Sequence, residues 1–211
     1  MKGFFYLAAP MKIRIEPYNP LWKDIFQKER IIVATALNEF SPVIEHIGST
    51  SVEGLTAKPV IDMLVGLKAE SDLPRGILPM QQTGFTYNTL HEHQMPYRRF
   101  FVRYTHPENH EAPLLLEKSN PNPSEAGFDN ITHVHIMVYG TYHWTRHIAF
   151  RDYLRAHPQA RQEYAALKLE LAKQDFENSM EYSSVKNDFM QKIERESLKW
   201  LYGSKSAGAG S

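Results

Sequence analysis

Trp22, Ile25, Phe26, Ile32, Val33, Ala36, Leu37 and Phe40 recur at three- and four-residue steps, which gathers them on one face of a helix. Pro20 suits the first turn of that helix, and Ser41-Pro42 ends it. Before it, Lys12-Ile13-Arg14-Ile15 alternates as a strand does. After it come a short strand over 43–47, a small-residue turn Gly48-Ser49-Thr50-Ser51, and an almost wholly apolar strand over 60–67. Residues 71–83 predict a helix, although Pro74 suits only a first turn, and Gly84 stops it. Strands are expected over 85–90, 99–104, 114–117 and 131–139, separated by polar loops at 105–112 and 119–130. Everything after Gly140 reads as helix: 144–156, a second beginning at Pro158, and a last one over 181–202. The order predicts an α+β chain, with a mixed α/β front half and an all-helical back third. Residues 12–140 form the mixed α/β core and 141–202 the helical part of the same unit. Residues 1–11 and the Gly/Ser/Ala-rich 203–211 read as loose tails.

Composition narrows the function. The chain has 211 residues, with 24 basic and 24 acidic side chains, so duplex nucleic acid, which demands a basic excess, is not an expected partner. The absence of cysteine excludes a disulfide scaffold or thiolate zinc site and fits a reducing, cytoplasmic setting. No run approaches the ~20 apolar residues of a membrane span, so no membrane partner is expected. The oligomeric state is left open.

Chemistry concentrates around the small-residue turn. Asp62 stands inside the apolar strand, where an ionised carboxylate is costly unless paired or bound to a metal. A Gly-Ser turn offers unhindered N–H groups and hydroxyls to phosphate oxygens. The two features describe either a phosphate cradle beside a metal carboxylate or a tight turn beside a core Asp paired with Lys58. His133 and His135 stand two apart on a strand and so share a face. They are candidates for a metal site with Asp62, and imidazole favours zinc or manganese over magnesium. The other reading is one core-bonded and one half-exposed histidine. Arg99 and Arg103 share one strand face and Arg98 the other, which makes Arg99 a candidate for phosphate. Tyr182 and Lys186 are four apart on the last predicted helix, placing a ring and an ammonium one above the other. Arg151, Asp152 and Arg155 read as an interhelical salt-bridge set.

The run His46-Ile-Gly-Ser-Thr-Ser-Val-Glu-Gly-Leu-Thr-Ala-Lys-Pro-Val-Ile-Asp62 resembles the signature of the GrpB family, predicted nucleotidyltransferases. Pro17-Tyr18-Asn19-Pro20 with Trp22, His133-Val134-His135, and the segment from Phe150 to Arg155 with Tyr182 and Lys186 extend the resemblance over roughly residues 13–193. The resemblance implies an α+β fold of nucleotidyltransferase-like type, a small mixed sheet flanked by helices with the C-terminal helices packed on it, with Gly48 and Ser49 at nucleotide phosphates and Asp62 at a metal. Two positions depart: Glu53 stands where the family commonly has Pro, and Leu64 stands where the superfamily usually places a second carboxylate. Two-metal phosphoryl transfer needs several carboxylates, so Leu64 bears directly on catalysis.

Three functions follow as expectations. The first is a metal-dependent nucleotidyltransferase-like protein that binds an NTP and transfers a nucleotidyl group to an unknown acceptor. In it Asp62 and Lys58 are catalytic, Gly48, Ser49, Thr50, Ser51, Arg99, Tyr182 and Lys186 hold the nucleotide, and Asp62, His133 and His135 hold a divalent metal, magnesium or manganese, or zinc through the histidines. The second is a catalytically inactive module that binds a nucleotide or phosphorylated small molecule. The third is a His/Asp metal-dependent hydrolase in the same cleft.

Overall fold

The computed structural model describes residues 11–105, 111–120, 123–176, 181 and 184–208. Among these, a six-stranded mixed sheet carries the fold, in the order β2-β3-β7-β5-β4-β6. Its strands are β2 (Val43–Ile47), β3 (Ile61–Leu67), β4 (Thr86–Asn88), β5 (Arg98–Tyr104), β6 (Leu115–Leu116) and β7 (Asn130–Val138). β3 runs antiparallel to β2 and parallel to β7; β5 is antiparallel to β7 and β4. The α+β class read from the sequence is the class observed.

β3 lies between two partners and is covered on both faces, which is why it is nearly all apolar. Ile61, Met63, Val65 and Leu67 face α1 (Leu21–Ala36) and join Trp22, Phe26, Val33 and Leu37 in the main core. On the other face Leu64 packs with Ile47, Met137 and Trp144, the last from α4 (Tyr142–Ala156). A side chain at Gly66 would collide with the Trp144 ring, so the bare backbone there lets α4 lie on the sheet. Thr141 caps α4 by accepting the Trp144 N–H at 3.4 Å. α5 (Pro158–Leu171) and α6 (Asn187–Gly208) complete the helical layer.

The helix expected over 71–83 is two short ones, α2 (Asp72–Arg75) and α3 (Ile77–Gln81). Pro74 and Pro79 each take the third position of their own helix. In one continuous helix Pro79 would lack an interior N–H and its ring would strike the preceding turn. The strand expected over 12–15 is the short β1 (Met11–Lys12), so residue 11 is no tail. Its antiparallel partner β8 (Asp175–Phe176) interrupts a region read as entirely helical. Ile13, Leu171 and Phe176 bury one another there, and this contact outweighs helix propensity. Residues 203–208, also read as tail, continue α6, because propagating a formed helix through Lys and Ala costs little.

Candidate functional site

The turn after β2 is fixed from both sides. Gly48 has φ 68° and ψ −175°, a conformation nearly closed to other residues, and a Cβ there would overlap the Asp62 carboxylate. Ser49–Ser51 then form one 3-10 turn. The buried Thr50 hydroxyl accepts from His46 Nε2 at 3.0 Å and donates to the Val60 carbonyl at 3.3 Å, tying the turn to the approach of β3. Burial pushes the His46 imidazole down to about 4, so it stays neutral. The Ser51 hydroxyl donates to the Gly48 carbonyl at 2.7 Å, and its own carbonyl accepts from Arg155 Nη2 at 2.8 Å.

Asp62 sits beside this turn with its side chain 29% exposed. In the parallel β3–β7 ladder it pairs with His133, and Leu64 pairs with His135. His133 Nδ1 lies 3.2 Å from Asp62 Oδ1, and His135 Nε2 lies 4.0 Å from the same oxygen. Burial alone would raise the Asp62 pKa; the two imidazoles outweigh it and hold the carboxyl well below the usual carboxylate range. Burial lowers His135 to about 4. Lys58 makes no ion pair with Asp62, so the pairing considered from the sequence is absent among the described residues. Among the described residues no group of three or more His, Cys, Asp or Glu side chains is set to hold an ion. Of the converging atoms, His133 Nδ1 and Asp62 Oδ1 are within hydrogen-bond distance.

Facing Asp62 is a cleft of about 390 Å³ whose walls include Ser49, Lys58, Lys168 and Lys186. Lys168 is the residue that sequence reasoning missed. It is 2% exposed, its Nζ donates to Ser49 Oγ at 3.1 Å and to the Thr56 carbonyl, and it stands 4.4 Å from the Tyr164 ring centre. No carboxylate lies within ion-pair distance of it among the described residues. Burial, with Lys186 nearby, lowers its pKa to about 7; burial also lowers those of Lys58 and Lys186. A signal existed: Ala160, Tyr164, Lys168 and Leu171 repeat at helical spacing, so the lysine belongs to the buried face of α5. A second lobe of about 670 Å³ shares Ser49, Asp62, His135, Tyr164 and Lys186 and runs on to Phe150 and Met190.

Of the expected site residues, Gly48, Ser49, Thr50, Lys58, Asp62, His133, His135 and Lys186 line this two-lobed cleft. Ser51 does not, because its hydroxyl is spent inside the turn. Arg99 does not either: it binds the Pro96 carbonyl and Glu92 on the opposite sheet face. Of the β5 arginines, the one on the face of His135 is Arg98, whose Nη1 lies 3.3 Å from His135 Nδ1. Tyr182 lies outside the described residues. The Arg151 set is not interhelical. Arg151 binds Asp152 within α4, Glu45 at 2.6 Å and the His46 carbonyl, clamping α4 to β2.

Fold and cleft together define an α+β protein in which a Gly-Ser turn and a strand aspartate face a lysine-lined cavity. This chain belongs to the GrpB family: the model of the family described as GrpB protein matches residues 12–196. It is 30% identical over 203 residues to UPF0157 protein YqkA of Bacillus subtilis (strain 168), covering 96% of this chain and 52% of that protein, so it spans about half that relative's length. It is 31% identical over 177 residues to Glutamate-rich protein GrpB of Alkalihalophilus pseudofirmus, covering 83% of this chain and 90% of that one. The crystal structure of conserved protein GrpB from Enterococcus faecalis superposes with a TM-score of 0.67 at 29% identity, over 90% of this chain and 99% of that one.

Proposed function

We propose that the cleft binds the phosphates of a nucleotide and supports transfer of its nucleotidyl group to an acceptor. The observation that carries this reading is Lys168: an ammonium buried against neutral partners at the Gly48–Ser51 turn gains most from an incoming anion. Lys58 and Lys186 add positive charge around the same space, and the Ser49 hydroxyl stands at its edge. Positive side chains fixed in a low-dielectric pocket stabilise charge that builds on a transferring phosphoryl group. Asp62 stays ionised on the floor of the cleft, where it suits the hydroxyl of an acceptor.

Binding without transfer is favoured by one observation. Leu64, at the position of a second strand carboxylate, is fully buried with Ile47, Met137 and Trp144, so that position offers Asp62 no partner carboxylate. Thermal shift with ATP, GTP, CTP, UTP and tripolyphosphate, with and without magnesium, manganese or zinc, tests the binding half. Pyrophosphate release from the triphosphate that shifts Tm most tests the transfer half, with water as acceptor. The expected result is a raised Tm that Lys168→Met abolishes, and pyrophosphate release that Asp62→Asn abolishes while binding persists. Binding with no release in the wild type leaves the module reading; no shift with any triphosphate or with tripolyphosphate refutes both.

A further inference from the structure

The second lobe of the cleft lies between two helices. From α4, Arg146, His147 and Phe150 line it; from α6, Met190, Gln191 and Glu194 do. Side chains that packed helices turn toward each other are apolar as a rule, so polar groups at these positions suit a cavity for a polar ligand. Charge decides which kind. Arg146 and Glu194 pair between the helices at 2.8 Å, each 28% exposed. The pair does not exhaust the guanidinium. Among the described residues Arg146 commits Nη1 alone, and its Nη2, which unlike Nε is not buried, has no acceptor. Glu194 is more fully used, because its other oxygen accepts from the Tyr142 hydroxyl at 3.4 Å. The His147 ring makes no hydrogen bond among the described residues. A second guanidinium stands behind His135: Arg98 has no carboxylate within ion-pair distance among the described residues, and burial together with the nearby Arg146 charge lowers its pKa. With Lys186 on the wall, the cations around this lobe outnumber Asp62 and Glu194, so its field favours an anion.

We propose that the second lobe binds the acceptor, and that the acceptor is a hydroxylated compound carrying an oxyanion, phosphate or carboxylate, which Arg146 receives beside His147. A guanidinium is the side chain whose donor geometry best matches either group. The two lobes share Ser49, Asp62 and Tyr164, so a molecule seated in the second meets Asp62 at the boundary with the first. The Phe150 and Tyr164 rings, edge to face with centres 6.1 Å apart, give the C–H faces of a polyol an apolar wall. A nucleobase is the competing occupant. It would pack on the same rings, but it brings no charge to set against Arg146. Calling the ligand an acceptor rests on the nucleotidyl-transfer reading; the anion site itself rests on Arg146 and its surroundings.

Isothermal titration with glucose 6-phosphate, gluconate and glucose tests the site on one carbon skeleton, with and without saturating tripolyphosphate. At least one of the two anions should bind, and glucose should bind about tenfold more weakly or worse. Preference for glucose 6-phosphate assigns a phosphorylated acceptor, and preference for gluconate a hydroxy acid. Arg146→Met should weaken the bound anion by about tenfold or more, and Arg146→Lys should recover part of the loss. Glu194→Gln releases Arg146 from its pair and should tighten binding, which a merely structural ion pair would not do. Should Arg146→Met fail to fold, Arg146→Met combined with Glu194→Gln leaves no unpaired charge and reads the same loss. The proposal is overturned if neither anion binds, if glucose binds as well as they do, or if Arg146→Met in a folded protein changes nothing. Displacement of the anion by tripolyphosphate would put it in the first lobe, and displacement by adenosine, guanosine, cytidine or uridine would make the second lobe a base pocket; either also overturns it. Binding through Arg146 in a protein indifferent to tripolyphosphate keeps this anion site and removes the nucleotide reading, whereas the reverse result removes this site alone.

Discussion

Replacing Lys168 with methionine removes the charge and keeps most of the side-chain volume, and it separates ligand binding from stability in opposite directions. Lys168 falls from a pKa of 10.5 in the unfolded chain to about 7 in the fold, chiefly through burial. At about 1.4 kcal/mol per tenfold change, keeping the ammonium in the fold costs roughly 5 kcal/mol. The cost applies in full below about pH 7. Between there and about pH 10.5 the unfolded chain carries a proton that the folded chain does not, so wild-type stability rises with pH by up to about 1.4 kcal/mol per pH unit from this one group. Above that range the cost is gone. The methionine variant lacks this slope, and it also leaves the Thr56 carbonyl and Ser49 hydroxyl without their donor, a loss of about 1–3 kcal/mol. Lys168→Met should therefore be more stable than the wild type by about 2–4 kcal/mol near pH 6 and no more stable near pH 10. Urea denaturation at three pH values across this range measures both slopes. Parallel pH profiles for the two proteins would refute the claim that Lys168 is a strained ammonium, and with it the main support for an anion site.

Two further substitutions test the frame around the cleft. Gly48→Ala should cost about 1–3 kcal/mol for the backbone conformation alone, and more for the overlap with Asp62; a variant within about 0.5 kcal/mol of wild type in urea denaturation would contradict the geometry of the turn. Glu29→Ala should cost about 3 kcal/mol, because Arg103, paired with it at 2.8 Å and 16% exposed, is left with the Thr83 carbonyl and the Phe85 ring. Adding Arg103→Met to Glu29→Ala should recover part of that loss, and a purely additive double mutant would show the pair uncoupled.

Local chemistry was the legible part. The apolar run around Asp62, the Gly-Ser turn before it and the shared face of His133 and His135 are all one-dimensional patterns, and the sheet presents each as read. The two departures in the helices have local causes as well: Pro79 breaks a helix that periodicity alone would continue, and β8 exists only because β1 returns to it from the far end of the chain. Nothing in Asp175-Phe176 by itself announces a strand, since a two-residue pairing is decided by its partner.

What the sequence withheld was adjacency. Alternation along β5 correctly puts Arg99 and Arg103 on one face and Arg98 on the other, but not which face looks into the cleft. That choice is made by the pairing of Phe100 with His135, and it puts Arg98 on the face of His135 while sending Arg103 to Glu29 of α1. The same holds for Asp62 and His133, which are 71 residues apart and meet because β3 and β7 run parallel in one register; a slip of one residue would turn both imidazoles into the apolar core. Lys168 reaches Ser49 across 119 residues, carried there by the face α5 turns inward. A charged group in an apolar run reveals that it needs a partner, because burial without one is too costly. The partner's identity is a property of the topology: for Asp62 it is an imidazole pair, and for Lys168 it is a hydroxyl and a carbonyl, which leaves its charge available to an anion.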